Sequence, residues 1–192
     1  MNKTRLEAFS DGVLAIIITI MILEIKTPED HSLESLQHLI PVFLSYILSF
    51  IYVGIYWSNH HHMFQVVKKV NGSVLWSNLF LLFWLSLIPF TTSWIGVHHF
   101  SAVPMSVYGF VLLMCAIAYN ILQNRIIKVE GKDSVLHQAV QKDFKGKISY
   151  LAYVAAIPLA FISPWISGTL YIAIALLWII PDSRIEKQIN LN

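Results

Sequence analysis

The sequence predicts an all-α integral membrane protein with six transmembrane helices, and three observations carry that prediction. Of 192 residues, 56% are hydrophobic and only 12% charged, against roughly 25% charged in an ordinary soluble domain; mean hydropathy is +0.64. The apolar residues gather in runs long enough to cross a bilayer, which takes about 20 residues at ~1.5 Å rise each. Lysine and arginine are sorted into alternate connections between those runs. So few polar side chains cannot clothe a water-exposed surface, which excludes an ordinary cytosolic enzyme. A net charge of +2 gives no basic patch, so nucleic acid is not a partner. The partner is the lipid bilayer.

The first span, 5–25, is apolar except for Glu7, Ser10, Asp11 and Thr19. Thr4 and Glu7 have capping-box spacing, which predicts a helix starting near Arg5. Asp11 inside the run, and no small-x-small site before Lys26, argue against a cleaved signal peptide. The second span, 37–65, contains 19 uncharged residues from Leu39 to Trp57. The third, 73–96, and the fourth, 103–127, hold uncharged runs of 24 and 21 residues, Val74 to Val97 and Ala102 to Leu122. Ile148 to Pro181 is 34 uncharged residues, about 51 Å of helix and too long for one crossing of an ~30 Å core. Turn formers in Ser163-Pro-Trp-Ile-Ser-Gly168 divide it into spans 147–163 and 165–181. The stretch Ile126 to Lys145 reads as a charged loop, too short for a catalytic domain. The chain 1–192 reads as one membrane domain.

Charge sets the orientation. With the N-terminus inside, the inner segments hold Lys3, Arg5, Lys68, Lys69, Arg125, Lys128, Lys132, Lys142, Lys145, Lys147, Arg184 and Lys187, 12 of the 13 cations, and only Lys26 lies outside. The positive-inside rule then puts both termini in the cytoplasm. Trp57, Trp76, Trp94 and Trp165 near span ends read as interface anchors.

Asp11 is the residue out of place. A carboxylate within a span costs about 2.5–3.5 kcal/mol on insertion scales and normally faces protein or water. At about 100° per residue, Gly12, Ile16, Thr19 and Leu23 share one narrow stripe, while Ser10 and Asp11 point to the opposite half. Taken alone, the stripe is as well explained by helix packing, since Ala8 and Gly12 form a small-x-x-x-small pair.

Arg5-Leu-Glu-Ala-Phe-Ser-Asp-Gly resembles the first helix of the transmembrane protein 175 family, the endosomal and lysosomal potassium channels with their prokaryotic homologues. Arg5, Phe9, Ser10 and Asp11 match its hallmark, and the likeness extends to Trp57, His60, His61, Asn78 and Leu87-Ile-Pro-Phe90. The resemblance implies a potassium-preferring cation channel rather than an enzyme, with no cofactor beyond permeating potassium. It implies a central pore lined by the first helix, with Ile16 and Leu23 as apolar rings and Thr19 as a hydroxyl layer. One pore helix per chain implies a homotetramer closed around a four-fold axis, in the plasma membrane of a prokaryote. Ser10 and Asp11 would then bond to Trp57, Asn78 and a histidine, fixing the pore helix. His60, His61 and His62 point about 100° apart, so sequence does not choose among them.

Three other readings are weaker. Metal or haem binding wants histidines at i, i+4, and His60-His61-His62 lacks such a partner, as does His98-His99. A secondary transporter wants paired interrupted helices, and Pro41, Pro89 and Pro158 form no pair. An intramembrane enzyme wants a nucleophile with a base, and Asp11 with Glu7 supplies neither. Cys115 lies in an apolar run and reads as core.

Overall fold

The computed structural model describes residues 2–28, 31–131, 133–140 and 143–180. Lys132, Lys142, Arg184 and Lys187, used above for orientation, lie outside the described residues, as does Pro181 at the expected end of the sixth span. Among the described residues the chain forms nine helices and no strand.

Helix α1 (Lys3–Leu23) starts earlier than the capping-box expectation. Its N-cap is Asn2, whose side chain accepts from the Thr4 amide at 3.2 Å. Asparagine, among the strongest capping residues, thus supersedes the Thr4–Glu7 pair. The expected second span, 37–65, corresponds to α3 (Ile40–Gln65), which a short α2 (Leu33–Gln37), capped by Ser32, precedes. Pro41 in the first turn of α3 suits a helix start there, since it lacks the amide that a continuous helix would use.

Proline also interrupts the third span. Helix α4 (Gly72–Leu85) and α5 (Ile88–Val97) are separated at Ser86-Leu87, just before Pro89. The Ser86 hydroxyl donates to the Phe83 carbonyl at 2.7 Å, satisfying one group near the break. Together residues 72–97 remain long and apolar enough to cross a membrane, as do α1, α3 and α6 (Ala102–Glu130). Helix α6 has 29 residues, about 43 Å at helical rise, so it outruns the hydrocarbon core. The stretch read as a loop from Ile126 is therefore helical to Glu130, and contains the short α7 (Val135–Val140). Gly131 ends α6 with φ +98°, a conformation suited to glycine.

Helices α8 (Phe144–Leu159) and α9 (Pro164–Ile179) form a hairpin. Its turn lies at 160–163, before the expected position, and Trp165 to Gly168 are helical. Pro164 opens α9, where a missing amide costs nothing. The Ser167 hydroxyl then donates back to the Ala156 carbonyl at 2.6 Å, stapling the two helices.

Two apolar cores result. One joins α1, α3, α4, α5, α6 and α7 around Leu6, Leu14, Val53, Leu81 and Cys115; the other joins α3, α5, α6, α8 and α9 around four buried tyrosines. Helices α3, α5 and α6 contribute to both. Tyr52 donates to the Tyr171 carbonyl at 2.7 Å, and Tyr171 to the Met105 carbonyl at 2.9 Å, so the polar tips meet partners that lipid could not supply. Helix α1 lies at the margin, packed only on its inner side against α3, α4 and α5.

Candidate functional site

Helix α1 divides sharply by face. Leu6, Ser10, Leu14, Ile17 and Met21 are buried, at i, i+4, i+8, i+11 and i+15, the periodicity of one helical stripe. The other face is open: Ile16 is 57% exposed and Leu23 79%, against 3% for Ile17. Thr19 lies on the open face and donates its hydroxyl to the Ile16 carbonyl at 2.9 Å. That bond uses the hydroxyl proton, which leaves the oxygen lone pairs free to meet a cation.

The buried face carries one polar link. Asn78 of α4 donates from Nδ2 to Ser10 Oγ at 2.9 Å, and His60 Nε2 of α3 donates to Asn78 Oδ1 at 2.8 Å. Ser10 Oγ in turn donates to the Leu6 carbonyl at 2.9 Å. Ser10 and Asn78 are fully buried and His60 nearly so. Three helices are thereby held in one register, because an unpaired buried amide or hydroxyl is costly. His60 also stacks on Phe64, ring centroids 4.4 Å apart.

Asp11 belongs to a second, separate link. Its Oδ1 accepts from Trp57 Nε1 at 3.1 Å at an exposed edge. His61 stacks on Trp57, centroids 6.2 Å apart, and faces Gln65 across 3.0 Å. His60 is thus the histidine bonded to Asn78, while His61 supports the tryptophan. The side chains of Arg5 and Phe9 are exposed and form no hydrogen bond among the described residues.

Sequence reasoning missed the far end of α1. Ser93 of α5 donates to Glu24 Oε2 at 3.0 Å, tying the residue after Leu23 to the neighbouring helix. An acid directly following a 21-residue apolar helix was the available signal. Between α1 and α5 runs an open groove of about 860 Å³, bordered by Ile16, Ile20, Phe90, Trp94 and Val97. No cluster of three or more metal-ligating side chains occurs among the described residues.

Comparison with known proteins decides the lineage. The sequence model of the endosomal/lysosomal potassium channel TMEM175 matches residues 5–89, the stretch that holds every residue described in the two links. A potassium channel of a Chryseobacterium species is 59% identical over 192 residues, covering 100% of both chains. The chain belongs to the TMEM175 family. Among solved structures, a lysosomal potassium-selective channel TMEM175 homologue from Chamaesiphon minutus has a TM-score of 0.81 at 32% identity, covering 94% of this chain and 97% of that one. The rat endosomal/lysosomal proton channel TMEM175 is 33% identical over 131 residues, but this chain covers only 26% of it. The Chryseobacterium potassium channel matches over its full length, and one from Chamaesiphon minutus is 33% identical over 85% of this chain and 86% of its own. These relatives are channels, not enzymes.

Proposed function

We propose that four copies of this chain assemble around a pore lined by α1 and conduct potassium in preference to sodium. The single observation that carries this reading is the open face of α1. A span whose Ile16, Ile20 and Leu23 find no partner within their own chain needs one from lipid or from a second copy, and Thr19 in the same stripe is poorly suited to lipid. The adjoining groove of about 860 Å³ offers a neighbouring copy room for large side chains. The Chryseobacterium and Chamaesiphon minutus relatives are both named potassium channels, which supports the ion.

The chemistry follows from the stripe. Rings of Ile16 and Leu23 narrow the path and provide no ligands, so an ion sheds water there. Thr19 oxygens, four to a layer, replace part of that hydration. Stripping water costs potassium less than the smaller sodium, which favours potassium without a tight carbonyl cage. The whole chain, 1–192, forms one unit with six spans, α8 and α9 being the fifth and sixth. At 16 residues each they rise about 24 Å, a shortfall that local bilayer thinning accommodates. Both termini face the cytoplasm, in the plasma membrane of a bacterium.

Reconstitution in liposomes under opposed potassium and sodium gradients tests this. The expected result is an electrical flux whose reversal follows the potassium gradient. Flux that follows sodium equally, or no electrical flux at all, overturns it.

A further inference from the structure

One corner of the molecule carries lysines whose side-chain nitrogens meet no carboxylate among the described residues. Lys3 on α1 reaches across to α3, its Nζ donating to the Gln65 carbonyl at 3.1 Å. The connection from α3 to α4 follows, and its valines turn inward: Val67 is buried, and Val66 and Val70 pack on the core. Lys68 and Lys69 are left exposed at its tip. That tip is fastened, because both lysine amides donate to Glu130 Oε1 at the end of α6, each at 2.8 Å. Arg125 and Lys128 on the last turns of α6 are exposed close by in sequence to that anchor. None of these five cations is paired with a carboxylate among the described residues. Glu130 is the acid nearest to them in the hydrogen-bond pattern, and its Oε1 is already committed to backbone.

Two exposed lysines on a fastened tip, with Lys3 bonded to the end of α3 just before it, offer a site for phosphate, and a corner at the end of three membrane helices sits at headgroup depth. We propose that this corner binds the phosphate of an anionic phospholipid in the inner leaflet, with Lys68 and Lys69 as the principal contacts. Clusters of basic residues just cytoplasmic of a span are attracted to anionic lipid in this way. The Glu130 clamp adds position to that attraction. It holds two lysines at one place on the rim instead of leaving them on a loose connection. The assignment rests on the membrane orientation proposed above and not on the pore.

The test counts phosphatidylglycerol retained by the purified full-length protein, by native mass spectrometry, after mixed phosphatidylglycerol–phosphatidylcholine vesicles are solubilised. Wild type should retain phosphatidylglycerol over phosphatidylcholine. Lys68→Gln/Lys69→Gln should lower that retention by roughly fivefold per removed charge. Lys68→Arg/Lys69→Arg should keep it, and Lys26→Gln, at the other end of α1, should not change it. Glu130→Ala separates a built site from a diffuse field. Removing an acid raises retention if only net charge matters, whereas releasing the tip lowers it if the clamp matters. Equal retention of both lipids, a rise in Glu130→Ala, or a loss in Lys26→Gln as large as in the double variant overturns the proposal. So does displacement by inorganic phosphate at millimolar concentration. Loss of potassium flux with lipid retention intact would instead count against the pore.

Discussion

At the scale of single residues, three hydrogen bonds and one exposed stripe matter most. Ser10, Asn78 and His60 are buried and linked, so Asn78→Leu leaves His60 Nε2 without a partner and Ser10 with only its bond to the Leu6 carbonyl. We expect a loss of about 1–3 kcal/mol, read as a lower melting temperature and a smaller yield of intact assembly, with ion preference in surviving channels unchanged. The stripe gives the opposite pattern. Thr19→Val keeps the shape but removes the oxygens, and should reduce potassium preference in liposome flux while stability holds. Ile16→Asn replaces an apolar ring by amides and should raise flux and weaken discrimination against sodium. Ile17, at 3% exposure, is the control: Ile17→Val should cost about 0.5–1.5 kcal/mol of stability and leave selectivity alone. Control of permeation by Ile17 with silence at Ile16 and Thr19 would show the pore face to be misassigned.

At the scale of helices, close approach of α3 and α5 is what gives α1 a firm wall to lean on. Gly96 makes that approach possible, since a Cβ there would meet Val42 Cα at 2.6 Å and Val42 Cβ at 3.1 Å. The contact is with backbone, which does not swing aside. Gly96→Ala should therefore push α5 from α3 and destabilise the protein by about 1–3 kcal/mol, visible in thermal unfolding. Gly12 on the open face of α1 has no atom within 4 Å of such a Cβ, so Gly12→Ala should leave the isolated subunit's stability unchanged. Any defect it produces appears in assembly or flux. The pair of substitutions thus distinguishes packing within one chain from packing between chains.

At the scale of the whole molecule, the subunit is asymmetric in what it satisfies. Helices α3, α5 and α6 contribute to both cores, whereas α1 contributes to one; α3 also leaves Phe43, Ile47, Phe50 and Trp57 exposed. A pore needs several such faces around an axis, and we expect a mass of four chains in mild detergent. A functional monomer, or a dimer with no four-fold form, would remove the pore. The Glu24–Ser93 bond at one end of α1 and the Lys3–Gln65 bond at the other restrict how far the helix can tilt. Both ends are solvent-accessible, so breaking either should change flux more than stability.

The sequence by itself determined the helical class, four apolar spans and the exposed stripe of α1, because these depend on local quantities. Apolar run length, the 100° helical step and the sorting of lysine and arginine are each readable within one segment. It also nominated Ser10, Asp11, Trp57, His60, His61 and Asn78 through the family resemblance. Only the tertiary structure separated them into a buried link through Ser10, Asn78 and His60 and an exposed one through Asp11 and Trp57. Which polar atoms meet depends on how three helices rotate against one another, and side-chain packing sets that rotation. The misplaced helix starts and turns have a more local cause: at Asn2, Ser86-Leu87 and Ala160–Ser163 several capping or proline options compete within a few residues. The contest is settled by which register buries the apolar face, and that face is defined only once its neighbours are in place.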